Sequence, residues 1–146
     1  MTEDFLMKAK LIVAGAILSI AASFVAACRG ANPSNEKEIK SVKSGELTIT
    51  LSSSTGELKN GENDLMIMFI DGAGKPVDVG AASLNFHMAA MGSMAEMNDR
   101  ATLTTTEIPG KYRAQVNIEM AGSWEAQVKY QGRRGSGRES MTVRAK

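Results

Sequence analysis

Cysteine is almost absent from this sequence, and the one copy, Cys28, cannot close an internal disulfide, so a disulfide-stapled scaffold is excluded. Histidine is equally scarce: His87 is the only imidazole. One histidine with few nearby carboxylates fits zinc, magnesium and calcium poorly, and leaves little for acid–base catalysis. Aromatic residues make up 5% of the chain, too few to line a groove that stacks nucleobases or sugars. Neither charge sign dominates, with a net charge of +1 and both signs mixed along the chain, so the electrostatic footprint of a nucleic-acid partner is missing. A G-x-S-x-G elbow and a phosphate-cradling glycine loop are missing too. These gaps argue for a binding protein and against an enzyme.

What is present begins with an uncharged run over residues 11–27, LIVAGAILSIAASFVAA, preceded by Lys8 and Lys10 and closing on small residues. A positive flank, an apolar stretch and a small-residue exit form a secretory signal pattern, although the run has nearly the length of a permanent membrane helix. Val25-Ala26-Ala27-Cys28 decides between them, because it resembles a bacterial lipobox. That resemblance implies cleavage before Cys28, diacylglycerol on its sulfur, and a protein held to a membrane in the cell envelope, on the periplasmic or extracellular side. Arg29 is not the aspartate that retains many lipoproteins in an inner membrane, which leaves inner and outer membranes both open. Glu3 and Asp4 sit badly in such a leader, and Met7 makes a better start than Met1. Residues 28–45 are polar without apolar periodicity and read as a flexible tether.

From Glu46 the pattern becomes that of strands. Leu47, Ile49 and Leu51 alternate with polar residues, as do Leu84, Phe86 and Met88, then Tyr112 to Met120, and Trp124 to Tyr130. Asp64–Asp71 is apolar at every position between its two aspartates, as in a strand covered on both faces, so Met66 and Met68 read as core, and so does Met141. Gly72–Pro76, Pro109-Gly110 and Gly132–Gly137 supply turns, the last carrying Arg133 and Arg134, which read as loop charges. About seven short strands over 46–146 predict an all-β domain, an immunoglobulin-like antiparallel sandwich behind a signal-peptide helix (1–27) and the tether (28–45).

Methionine is the surplus residue. Ten occur in the chain, and four fall between Met88 and Met97, beside His87. A thioether is uncharged and polarizable, suits Cu(I), and carries no proton that must leave before it binds; imidazole is a borderline partner. Thiolates bind more tightly but do not persist outside the cytoplasm. If 84–88 is a strand, His87 and Met88 point to opposite faces and both ligate only if the strand ends there. Met91, Met94 and Met97 follow at steps of three, and Gly92-Ser93 favours a loop that brings them over Met120. The expected ligands are Met88, Met91, Met94 and Met120 first, His87 next and Met97 last, with Glu96 and Asp99 read as solvated charges. Two plainer uses compete: methionine fills irregular gaps in cores, and it forms adaptable docking patches.

Several segments together resemble the YtkA-like domain, related to the FixH-like domain of bacterial envelope proteins. They are Asn63-Asp64-Leu65 leading into an apolar strand, Asp71 with Gly74-Lys75-Pro76-Val77, and Phe86-His87-Met88-Ala89-Ala90-Met91. Pro109-Gly110-Lys111-Tyr112 and Met120-Ala121-Gly122-Ser123-Trp124 complete the set. The resemblance implies an exported or membrane-attached immunoglobulin-like sandwich, often tied to copper handling or metal efflux. Its methionine motif commonly has proline where Ala89 stands, so this loop is expected to be less rigid. The expectation is an anchored lipoprotein that binds Cu(I) and buffers it, delivers it or feeds its efflux, passing it to a protein partner. The alternative is a module that docks its methionine-rich end on a membrane complex without metal.

Overall fold

The structure, a computed structural model, describes residues 35–146. The leader expected over 1–27 and the lipidation expected at Cys28 lie outside the described residues. Among the described residues there is no helix, and so none long and apolar enough to cross a membrane.

Nine strands form two antiparallel sheets: β1 (Lys37–Ser44), β2 (Leu47–Ser53), β3 (Gly61–Ile70), β4 (Ala81–Met88), β5 (Met97–Arg100), β6 (Thr102–Thr105), β7 (Lys111–Ile118), β8 (Gly122–Gly132) and β9 (Gly135–Ala145). One sheet runs β1-β2-β3-β7-β6 and the other β5-β4-β8-β9. Period-two alternation explains the assembly. Ile49 and Leu51, Leu65, Ile67 and Phe69, and Ala114, Val116 and Ile118 turn inward from the first sheet. Leu84 and Phe86 on β4, Trp124, Ala126 and Val128 on β8, and Met141 and Val143 on β9 meet them from the second. Two tyrosine hydroxyls tie the far end together: Tyr130 is 2.9 Å from Ser44 Oγ across the sheets, and Tyr112 donates to the Gly80 carbonyl at 2.8 Å. Among the described residues no buried side-chain nitrogen or oxygen lacks a hydrogen-bond partner.

The all-β sandwich expected from the sequence is present, with more strands than the seven anticipated. β1 lies inside the stretch read as tether. Its composition is polar because it is an edge strand held by main-chain pairing to β2, and only Ile39 and Val42 pack against the core. These two are spaced by three, which breaks the alternation signal; a bulge between Glu38 and Lys40 lets both reach inward. Met66 and Met68 are not core residues. They alternate with Ile67 and Phe69 and stand half-buried on the outer face of β3, opposite Ser52 and Thr50 of β2. A central strand with one partly covered face produces the same unbroken apolar run as one buried on both.

The turn at Pro109-Gly110 fixes the end of the sandwich away from the β4–β5 hairpin. Gly110 has φ 81° and gives its carbonyl to Phe69 N–H at 2.9 Å. A Cβ on Gly110 would stand 2.1 Å from the Val77 carbonyl oxygen, so the chain crossing there admits only glycine. Gly110→Ala is expected to lower unfolding stability by more than about 2 kcal/mol, the left-handed backbone penalty plus the clash. Urea unfolding followed by Trp124 fluorescence reads the change; an unshifted midpoint contradicts it.

Candidate metal centre

The methionine cluster is a hairpin. β4 and β5 pair in a single register, Asn85 opposite Arg100, Phe86 opposite Asp99, His87 opposite Asn98 and Met88 opposite Met97. The same register continues to an isolated bridge in which Met91 opposes Met94. These two exchange both main-chain hydrogen bonds, Met91 N–H to the Met94 carbonyl at 3.1 Å and the reverse at 2.9 Å. Gly92 and Ser93 make the two-residue turn between them, and Gly92 supplies the φ of 58° that such hairpins require at their first central position. Residues directly opposite each other hold their Cβ atoms roughly 5 Å apart on one side of the ribbon. Met91 and Met94 therefore present their thioethers side by side, 57% and 41% exposed.

Alternation then divides the six expected ligands. β4 continues as a strand through Met88, so His87 and Met88 point to opposite faces. Met88 is 3% exposed and belongs to the core; its ε-methyl lies 3.1 Å from where a Cβ on Gly122 would stand. Met97 and Met120 are half-buried and pack against the same core. The turn carrying Met120 is held at this end of the sandwich by two bonds: Trp124 Nε1 donates to the Met120 carbonyl at 3.0 Å, and Glu119 N–H donates to Asp99 Oδ2 at 3.1 Å. Met88, Met97 and Met120 thus gather at the mouth of the core. His87 occupies the outer face of the second sheet, and Met91 and Met94 stand exposed at the turn beyond the end of the β4–β5 ladder. The quartet of Met88, Met91, Met94 and Met120 is not a single cluster.

On the outer face His87 Nδ1 lies 3.1 Å from Asn98 Oδ1. Its neighbour across the other ladder is Glu125. Hydrogen bonds from Ser140 and then Gln127, with the nearby His87 contributing, hold the Glu125 carboxyl below the usual carboxylate range. Among the described residues no three His, Cys, Asp or Glu side chains converge on a metal position.

Asn98, Asp99 and Glu125 were not picked out as site residues from the sequence; Asp99, read as a solvated charge, is a tie between β5 and the β7–β8 turn. The hairpin did leave a signal. Met-Ala-Ala-Met-Gly-Ser-Met-Ala-Glu-Met places its methionines symmetrically about Gly92-Ser93, which is the mark of facing pairs in a two-residue turn rather than of a helical step of three. The two groups of methionine are expected to behave differently. Under dilute hydrogen peroxide, peptide mapping by mass spectrometry should find sulfoxide first at Met91 and Met94, with Met88 and Met141 protected until the protein unfolds. Early oxidation of Met88 contradicts this placement.

The YtkA-like family pattern matches residues 41–129, from within β1 to within β8. No curated protein matches the sequence. Two solved structures resemble the chain, both of FetP from uropathogenic Escherichia coli strain F11. A copper-bound variant of it is 9% identical with a TM-score of 0.44, and covers 75% of this chain and 95% of its own. The as-isolated protein, expressed in the periplasm, is 10% identical with the same TM-score and the same coverage. With its two-sheet sandwich and a family match that spans most of the strands, this chain belongs to the YtkA-like family.

Proposed function

We propose that this protein is an exported, lipid-anchored Cu(I) carrier that holds the ion at the tip of the β4–β5 hairpin and gives it to a protein partner. One observation carries the reading: Met91 and Met94, paired across a two-residue turn, are exposed, and Ile108 is the one other large hydrophobic residue in that condition among the described residues. Burying a methionine side chain favours folding by about 1.5–3 kcal/mol, so a fold that leaves two of them in water forgoes that stabilisation. Two adjacent thioethers give a soft, uncharged donor set that prefers Cu(I) over hard cations and keeps its donors at any pH.

His87 is a further donor on the outer face, while Met88, Met97 and Met120 pack at the mouth of the core beneath the hairpin. Exposure suits exchange, because a partner's ligands reach the ion directly. The apolar leader and Val25-Ala26-Ala27-Cys28 support export and attachment at Cys28. The role in this reading is binding and transfer.

A docking role without metal has one observation in its favour, since the exposed Ala89, Ala90 and Ala95 extend the apolar tip. A single experiment separates the two. Anaerobic titration of the protein with Cu(I) against a chromogenic chelator should show competition by about one ion per chain. Replacing both Met91 and Met94 by leucine should weaken that competition at least tenfold, equivalent to about 1.4 kcal/mol, while leaving the apolar surface nearly unchanged. Failure of the wild-type protein to compete contradicts the carrier and leaves the docking module.

A further inference from the structure

The outer face of the β5-β4-β8-β9 sheet carries a chain of hydrogen bonds with a fixed direction. It begins at Glu125, a carboxylate that accepts and does not donate at neutral pH. Gln127 Nε2 donates to Glu125 Oε1 at 3.2 Å, which turns Gln127 Oε1 toward β4. Asn85 Nδ2 donates to that oxygen at 3.4 Å and to Asn98 Oδ1 at 3.2 Å. Asn98 Oδ1 is also the atom 3.1 Å from His87 Nδ1.

An amide oxygen has no proton to give, so in a neutral ring Nδ1 carries the hydrogen and Nε2 keeps the lone pair. The alternatives fail in turn. Reversing Asn98 alone sets its NH₂ against the donating NH₂ of Asn85. Reversing Asn85 and Gln127 as well sets Gln127 Oε1 against the Glu125 carboxylate. The Glu125 carboxylate, linked to the ring through three amide side chains as well as facing it across the ladder, therefore chooses the tautomer of the only histidine.

We propose that Glu125 is a positioning residue for metal capture: through Gln127, Asn85 and Asn98 it holds His87 as the Nδ1–H tautomer, with Nε2 bare and ready to join Met91 and Met94 on one soft ion. The ligand role rests on the Cu(I) reading above; the tautomer does not. Orientation of a ligating imidazole by a partner on its other nitrogen is the usual support of a histidine metal ligand. An extended strand sets Met91 roughly 13 Å beyond His87, so a shared ion requires the hairpin tip to fold toward the sheet. The chain provides for that fold. Between the Met88–Met97 pair and the Met91–Met94 bridge, residues 89–90 and 95–96 belong to no strand, and three of these four are alanine, whose methyl groups do not obstruct bending.

With one histidine in the chain, ¹⁵N-labelled protein gives two ring-nitrogen resonances without assignment work. In the metal-free protein at pH 8 they should report a protonated Nδ1 and a bare Nε2 as one tautomer. Glu125→Gln frees the chain to reverse and should replace this with a mixture; Asn98→Ala, which removes the last link, should do the same. Backbone amide spectra confirm that each variant is folded. A wild-type Nε2–H tautomer, or a Glu125→Gln spectrum identical to wild type, overturns the positioning role. Adding Ag(I), a redox-inert stand-in for Cu(I), should then move Nε2 together with the Met91 and Met94 methyl signals. Methionine shifts with both ring nitrogens unmoved overturn the ligand role of His87 and keep the carrier. No shift at any of them overturns the ligand role and the carrier together, whichever tautomer the metal-free spectrum shows.

Discussion

Main-chain pairing between β4 and β5 decides which sulfur atoms meet solvent. Once Leu84 and Phe86 commit β4 to the core, the two-residue period carries Met88 inward and His87 outward, with no freedom left to the side chains themselves. The ladder set by Asn85 opposite Arg100 ends at Met88 opposite Met97, and after an unpaired gap the same register returns at Met91 opposite Met94. A slip of one residue would exchange the faces, submerge the imidazole and expose Met88. The hydrophobic core therefore does more than hold the domain together: it fixes the phase of the ladder, and the phase sends Met88 inward and His87 outward.

That distribution gives the methionines two kinds of work. Those at the mouth of the core are gap-fillers in the ordinary sense, with Met88 lying over a glycine whose missing side chain makes room for it. Those at the tip have no packing partner that accounts for them. A thioether pair in water is a weak, neutral, soft site, suited to an ion that has to be released. The same exposure makes the tip vulnerable to oxidation, and sulfoxide formation would convert soft donors into polar ones. A buried site would avoid both consequences and would also close off exchange with a partner.

Much of this architecture was legible from residue order. Alternation located the inward residues of β2, β4, β7 and β8, and it separated His87 from Met88. It failed where one face is only half covered, as at Met66 and Met68, because an apolar run has no period to read. It failed again at β1, where a bulge breaks the spacing of Ile39 and Val42 and edge pairing needs little apolar surface. The methionine spacing was visible, but its mirror symmetry about Gly92-Ser93 carries the geometry, and a step of three conceals it. The polar relay from Glu125 to His87 was out of reach of sequence reasoning, since its members come from β4, β5 and β8 and meet only when two ladders are in register.

The central claim is that sulfur from the hairpin tip binds the metal. X-ray absorption of the Cu(I)-loaded protein addresses it without reference to affinity or partner. The account predicts a sulfur scattering shell, distinct from any nitrogen or oxygen shell, that is lost when Met91 and Met94 are both replaced by leucine. A first shell of nitrogen and oxygen alone, or a sulfur shell that survives the double replacement, would contradict it.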